Sequence, residues 1–459
     1  MITIGSVYPI VINERGEIIP TGVETIVRDL QASLYPEFVF DLYGMWYDYI
    51  FSVRHGYPQE REVKKMVALR EEEKPLFKKD VIQLLSKLPE ESQLLHINTY
   101  SIDQDFVRKL RDLHEAGFPV VYTVHSLAFL DFVREPKVRT LLGFSELPRE
   151  VEEDFLSKFL PMCSLHLKEE EANDRIKDLI HRLSLKCSVN KDFISMMRIG
   201  MYMTALQREI MSFSDVIVFN SNFMQNEANK RFPSEFIKKG VVIPNGTDFY
   251  LTYDQNKDII DRNSLEWRSR YFPNKRLIGY IGRIVEYKGV LELAKAFDIL
   301  SQKYGMRDVA LVFVGPGSNE IYNKIKSNAG RSANKVFISL TQLAPKDPAL
   351  HTVYRALDVC VYPSKNEPFG LVPIEATSIG TITIVRDCDN LHCFVEEGIC
   401  MGYRGGADEL AATLHYVLSN YGYQKEKVEQ ARRLVIEKYS LGRMSSNYSR
   451  LFKNLLSKR

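Results

Sequence analysis

The feature that most constrains the fold is the alternation of short apolar runs with longer segments of helical period. The runs "ITIGSVYP", "SQLLHIN", "FPVVYTVHS", "DVIVFNS" and "GVVIPNG" occupy the first half. The runs "KRLIGYIGR", "VALVFVGPG", "KVFISL", "LDVCVYPS" and "TITIVRD" occupy the second. Each is rich in Val, Ile, Phe or Tyr and is closed by turn formers, which predicts repeated βα units and parallel sheets. The class is α/β. A chain of 459 residues exceeds what one hydrophobic core serves, so the two series of runs predict two α/β domains. The polar, tyrosine-rich stretch "TDFYLTYDQNKDIIDRNSLEWRSRYFPNK" separates them, with a boundary near residue 255.

Residues 133–210 break the strand rhythm. Val151, Phe155, Leu156, Phe159 and Leu160 recur at helical spacing there, which predicts a helical insertion in the first domain. The domains expected are 1–254, 255–435 and a C-terminal helix over 436–459. That helix carries Met444, Tyr448, Leu451, Phe452 and Leu455 on one face, and can cross back to the first domain.

Apolar residues make up 45% of the chain and charged residues 26%, with a net charge of +2. This balance describes a globular protein with no need for nucleic acid. No apolar run reaches membrane-spanning length, although peripheral membrane contact stays open. The first twenty residues lack the charged start and long apolar core of a secretory signal, so a cytoplasmic location is expected. Six scattered cysteines without paired spacing read as reduced thiols.

Three stretches carry candidate chemistry. In "IIPTGVETIVRDLQASL", Thr21 and Glu24 have capping-box spacing, and Gly22 leaves the backbone bare at the positive end of a helix. Such an end can receive a phosphate, and it also reads as an ordinary helix start. In "LIGYIGRIVEYKGVLELAKAF", Arg283 and Lys288 lie in a loop after a strand, where ligands of α/β sheets bind. A guanidinium and an ammonium suit a diphosphate, and two basic residues equally suit a plain solvated loop. In "SKNEPFGLVPIEATSIG", Glu367 precedes a helix and Glu375 lies early within it. Phe369, Gly370, Leu371 and Val372 span the entry to that helix, where the backbone amides can meet a phosphate.

"SKNEPFGLVPIEA" resembles the glutamate, seven residues, glutamate signature of retaining glycosyltransferases of the group 1 and glycogen synthase-like superfamily. The order of "VVIPNGTD", "GRIVEYKG" and "LVFVGPG" before it is also that family's. The resemblance implies the GT-B architecture of two facing Rossmann-like domains, and a nucleoside-diphosphate sugar as donor. It implies that Arg283 and Lys288 bind the diphosphate with the amides of Gly22, Gly370 and Leu371. Glu367 would contact sugar hydroxyls and Glu375 the ribose. His125 in "VVYTVHSLAF" matches a family histidine close to the donor sugar, and a buried structural histidine is the other reading. Glu367, His125, Arg283 and Lys288 form the expected catalytic group. The activity implied is metal-independent hexosyl transfer to a carbohydrate or other hydroxyl-bearing acceptor with retention, and no cofactor is expected.

The chain departs from the family after Glu375. "TITIVRDCDNLHCFVEEG" puts Thr383 near the usual proline and Asp387 to Asn390 near the usual glycines, which bears on sugar or acceptor selection. "DCD" also matches a metal-binding acid pair of another glycosyltransferase fold, and Cys163, His166, His181 and Cys187 have a superficial zinc spacing. Neither context supports a metal. Met196, Met197, Met201 and Met203 read as filling a helix interface. A polymerising glucosyltransferase of the glycogen and starch synthase type is the alternative, although "PTGVE" lacks their lysine-glycine-glycine. A non-catalytic scaffold or sugar-nucleotide-binding protein is a further one.

Overall fold

The computed structural model describes residues 2–9, 11–12, 18–19, 22–46, 49–54, 92–98, 104–133, 149–163, 169–182, 191–341, 343 and 347–458. The chain divides into two compact units. Unit 1 comprises Met1–Ile243 with Ser445–Arg459, and unit 2 comprises Pro244–Met444.

Unit 1 is built on a sheet of β1 (Ile2–Pro9), β4 (Phe38–Trp46), β5 (Tyr49–Arg54), β6 (Leu94–Ile97), β7 (Val120–Val124), β8 (Val216–Phe219) and β9 (Gly240–Val242). Their spatial order is β5-β4-β1-β6-β7-β8-β9, and a separate small ribbon pairs β2 (Val11–Ile12) with β3 (Ile18–Ile19). All pairings in the large sheet are parallel except β4 with β5. The strands β6 and β7 are buried at every residue, as a parallel sheet covered on both faces demands.

Helices Arg149–Phe159, Glu169–Arg182 and Lys191–Phe213 lie in the stretch expected to be a helical insertion. Phe155, Phe159, Ile176, Met197 and Met201 join the same core cluster as Val120, Tyr122 and Ile217 of the sheet. The insertion therefore shares the unit's core, and two of the methionines are core residues. The side chain of Met196, together with His166 and Cys187, lies outside the described residues.

Unit 2 has a six-stranded, wholly parallel sheet: β10 (Arg276–Ile281), β11 (Val309–Val314), β12 (Val336–Ser339), β13 (Val359–Tyr362), β14 (Ile382–Arg386) and β15 (Met401–Tyr403). The spatial order is β12-β11-β10-β13-β14-β15. The chain thus leaves β10 for β11 and β12 on one side, then returns to β13 on the other. That reversal places a topological switch point between β10 and β13, where loops at the carboxyl ends part and leave a crevice.

The two-sheet α/β fold expected from the alternation is the one observed, and all ten quoted strand candidates contribute strands. The stretch expected as a linker instead forms the helices Phe249–Gln255 and Lys257–Tyr271. Phe249 stacks on His351 at 3.7 Å, and Tyr253 and Ile260 are buried in unit 2. The division consequently falls at Pro244, not near 255, because these apolar side chains commit the stretch to the second core. Asp358 ties it down further, accepting from Arg268 at 2.9 Å, Arg276 at 3.0 Å and the amide of Leu277 at 2.7 Å.

Among the described residues no helix is long and apolar enough to cross a membrane. The amphipathic final helix, Leu441–Leu456, finds its apolar partner in unit 1. Phe452 is fully buried and meets Phe38 edge-on at 5.6 Å and His96 at 5.4 Å. Tyr448 is bonded through its hydroxyl to Thr123 at 2.9 Å. Phe452→Ala should destabilise unit 1 by about 3–5 kcal/mol, the usual cost of deleting a buried aromatic. Urea denaturation followed by circular dichroism reads the loss, and an unchanged midpoint would contradict this docking.

Candidate active site

The second unit assembles its chemistry at the switch point. The loop after β10 carries Arg283 and a short 3-10 turn, Glu286–Lys288, before the helix Val290–Lys303. Gly289 joins turn to helix at φ +77°, and a Cβ there would lie 2.1 Å from the carbonyl oxygen of Pro363. Only glycine lets the β10 loop press this closely on the loop that follows β13.

That contact brings Lys288 to Glu367. The Lys288 Nζ lies 2.7 Å from Glu367 Oε2, and both side chains are about seven-eighths buried, at 13% and 12% exposure. Tyr362, the last residue of β13, completes the group: its hydroxyl donates to the same Oε2 at 2.6 Å and accepts from Lys288 Nζ at 3.2 Å. Arg283 is exposed, with its guanidinium 5.8 Å from the ring centroid of Tyr287 and no carboxylate partner among the described residues. Its carbonyl accepts from the Tyr280 hydroxyl at 2.7 Å. A free guanidinium beside a neutralised lysine leaves one cation already available to an anion.

The helix Leu371–Ser378 begins at Gly370, whose φ is +100°. A Cβ on this residue would stand 2.8 Å from Leu391 Cδ2, so conformation and space both exclude a side chain. Among the described residues no side chain caps this helix, whose N-cap is Gly370 itself. The amides at its start therefore keep their donors, with the positive end of the helix dipole behind them. Leu371 and Val372 are half-buried in the first turn. Phe369 does otherwise: its ring is buried against Phe394 and Tyr439, so only its backbone borders the site. Glu375 sits one turn into the helix and accepts from the Tyr354 hydroxyl at 3.2 Å. Burial, followed by the charge of Glu375, pushes the Tyr354 phenol well above its ordinary range.

The departure after β14 proves structural. Asp389, in the left-handed region at φ +47°, accepts from the backbone amide of Glu367 at 3.1 Å. Asn390 donates to the carbonyl of Phe369 at 2.7 Å. Two side chains thus grip the loop that carries Glu367 from the position where family members have glycines. Asp387 belongs to another set, bonded to His392 at 2.6 Å and to Arg404 at 2.7 Å. Burial opposes its charge, yet these two partners hold its carboxyl below the usual range. Thr383 is buried and bonded to Thr377 at 3.0 Å. Tyr280 and Tyr362 are not legible as site residues, and Asp389 and Asn390, legible only as a departure that bears on selection, hold the Glu367 loop instead. The one available signal was a tyrosine ending a strand five residues before Glu367.

Gly22 and His125 belong to unit 1. Gly22 opens the helix Gly22–Leu34, while Thr21 and the side chain of Glu24, hence the expected capping box, lie outside the described residues. His125 follows β7. Asn98 uses its Nδ2 on Ser6 and on the carbonyl of His96, so its Oδ1 accepts from His125 Nε2 at 3.3 Å. The ring hydrogen is thereby placed on Nε2, and Nδ1 keeps a lone pair in a buried position with no partner among the described residues. Burial lowers the pKa of His125 to about 4. It also lowers that of His96, which bonds Thr123 at 2.8 Å, to about 3, with a smaller contribution from the charge of His125.

Residues 261–434 match the family described as glycosyl transferases group 1. This segment is a group 1 glycosyltransferase domain. It contains Arg283, Lys288, Glu367 and Glu375. Granule-bound starch synthase 1 of Pisum sativum is 32% identical over 164 residues, covering 33% of this chain and 26% of that protein. The first curated relatives are matched over less than half of their own lengths. The fold of the whole chain resembles that of sucrose-phosphate synthase from Thermosynechococcus elongatus, with a TM-score of 0.63, 16% identity and full coverage of both chains. Anabaena HepE, solved in complex with UDP and glucose, gives 0.59 at 14% identity over 99% of this chain and 100% of that one. The glycosyltransferase domain thus stands within the GT-B class of fold.

The neutral histidines have a consequence for stability. Both folded pKa values lie below the unfolded value of 6.5, so the unfolded chain binds more protons as the medium is acidified. Their contribution to stability is complete above about pH 6.5 and is lost as the pH falls through about 4 for His125 and about 3 for His96. The urea midpoint of unit 1 should drop across that window, and His96→Asn should flatten its slope. A midpoint independent of pH would show that neither ring is held neutral.

Proposed function

We propose that the chain transfers a hexosyl group from a nucleoside-diphosphate sugar to an acceptor hydroxyl, with retention of configuration and without a metal. The observation that carries this reading is the grouping of Lys288, Glu367 and exposed Arg283 beside the uncapped helix Leu371–Ser378, inside the segment that matches the family. Arg283, Lys288 and the amides of Gly370, Leu371 and Val372 receive the diphosphate. Charge that gathers on it as the glycosidic bond breaks is stabilised by groups already in place. Glu375 accepts from the ribose hydroxyls and Glu367 from sugar hydroxyls. The amide of Gly22 and the Nδ1 lone pair of His125 keep the roles that the family resemblance assigns them, towards phosphate and a sugar hydroxyl.

None of the described residues at this site is placed as an evident covalent nucleophile. The acceptor then attacks from the face that the diphosphate leaves, and a phosphate oxygen takes its proton. UDP-glucose is the first donor to try, because the fold neighbour HepE was solved with UDP and glucose. The similarity to a starch synthase favours glucosyl transfer to a growing glucan as the second reading. Product length on a glucan primer separates the two.

Thermal-shift screening without added metal against UDP-, GDP-, ADP- and dTDP-sugars tests the assignment. A donor present at 100 times its Kd should stabilise the native protein by about 2.7 kcal/mol. Glu375→Ala, and Arg283→Ala combined with Lys288→Ala, should abolish that gain. A folded protein that responds to no donor would turn the reading towards a scaffold.

A further inference from the structure

Tyr362 stands out among groups that the proposed chemistry leaves unused. It is 6% exposed, and its ring lies parallel, at 4°, to that of fully buried Tyr280 with 6.2 Å between centroids. The Tyr280 hydroxyl is spent on the loop after β10, and that of Tyr362 bridges this loop to the one after β13. Tyr280 holds the carbonyl of Arg283, and Tyr362 holds the side chains of both Lys288 and Glu367. The ring of Tyr362 also faces the Lys288 ammonium at 5.5 Å. Packing alone would be met by phenylalanine. The hydroxyl is placed at the strand end where it accepts from the cation and donates to the anion.

Both of its partners are charged, and each has another task in the proposed reaction. When the Lys288 ammonium turns to the diphosphate, Glu367 is left as a carboxylate at 12% exposure without its cation. An unpaired charge so buried is costly, and a carboxylate without a fixed partner also turns freely. The Tyr362 hydroxyl remains on Oε2 throughout. Oε1, which accepts from no side chain among the described residues, then faces the ligand. Asp389 fixes the backbone of Glu367 in the same way that Tyr362 fixes its side chain.

We infer that Tyr362 is a positioning residue that holds the Glu367 carboxylate towards the donor sugar while Lys288 serves the diphosphate. The inference rests on the transferase reading above and deepens it. It predicts that loss of one oxygen atom will cost affinity for the sugar portion of the donor and spare the diphosphate.

The test is isothermal titration of the full chain with UDP-glucose and with UDP, or the donor and diphosphate that the screen selects. The proteins are wild type, Tyr362→Phe, Glu367→Ala and the double variant. Tyr362→Phe should weaken UDP-glucose about tenfold, the scale of one hydrogen bond to a charged group, and change UDP by less than about twofold. In the Glu367→Ala background the same substitution should change UDP-glucose by less than about twofold, because two residues acting as one unit are not additive. Wild-type behaviour of Tyr362→Phe, or equal losses for both ligands that persist without Glu367, would overturn the inference and leave the transferase reading standing. A wild-type protein that binds no donor overturns both. Far-UV circular dichroism and cooperative melting of Tyr362→Phe separate these outcomes from misfolding.

Discussion

The contact between Lys288 and Glu367 is the interaction around which the candidate site of the second unit is arranged. Two opposite charges at this depth lose hydration that their attraction only partly returns. The pair is therefore a poor device for stability, and the proposed transfer gives it a different use. Its members are held ready in a dry setting, where electrostatic effects on a ligand are larger than in water. Neutralising each other, they avoid the penalty that either would meet alone. In the proposed reaction an arriving anion takes the lysine from this pair, and the Tyr362 hydroxyl is then the partner left on the Glu367 carboxylate.

Several unrelated features serve this contact. The chain reversal between β10 and β13 brings the two loops to neighbouring strand ends. Gly289 removes the Cβ that would separate them, and Asp389 and Asn390 fix the backbone on the far side. On the outer flank Glu292 accepts from the Tyr403 hydroxyl at 2.9 Å, pairs with Arg386 and lies 3.7 Å from Lys365 in the same loop. Rigid support of this kind is what keeps functional side chains within a fraction of an ångström of a productive position.

Periodicity exposed the strands of both sheet centres because burial on both faces leaves a continuous apolar run. It missed β4, β5 and β15, whose mixed sequences, such as "FVFDLYGMW", carry no clear alternation. The charged members of the candidate site were legible, since their order along the chain follows a known signature. Their supports were not. Tyr362 and Asp389 act through single hydrogen bonds across loops, and nothing in the local pattern of a tyrosine or an aspartate announces which distant atom it will meet. The boundary shifted for a similar reason: Phe249, Tyr253 and Ile260 are too sparse in a polar stretch to reveal which core they join.

The return of the last helix to unit 1 sets an order on biogenesis. Ribosomes deliver a chain from its amino end, and domains generally fold as they emerge. Unit 1 cannot do so fully, because Tyr448 and Phe452 arrive only after all of Pro244–Met444 has been made. Until then the surface around Phe38, His96 and Thr123 that they cover stays open. Unit 2, a single continuous stretch, can finish first. The half-made protein thus passes through a period in which its second unit can be complete while Phe38, His96 and Thr123 of its first still lack the side chains that cover them, as they would in any chain that stopped short of Tyr448.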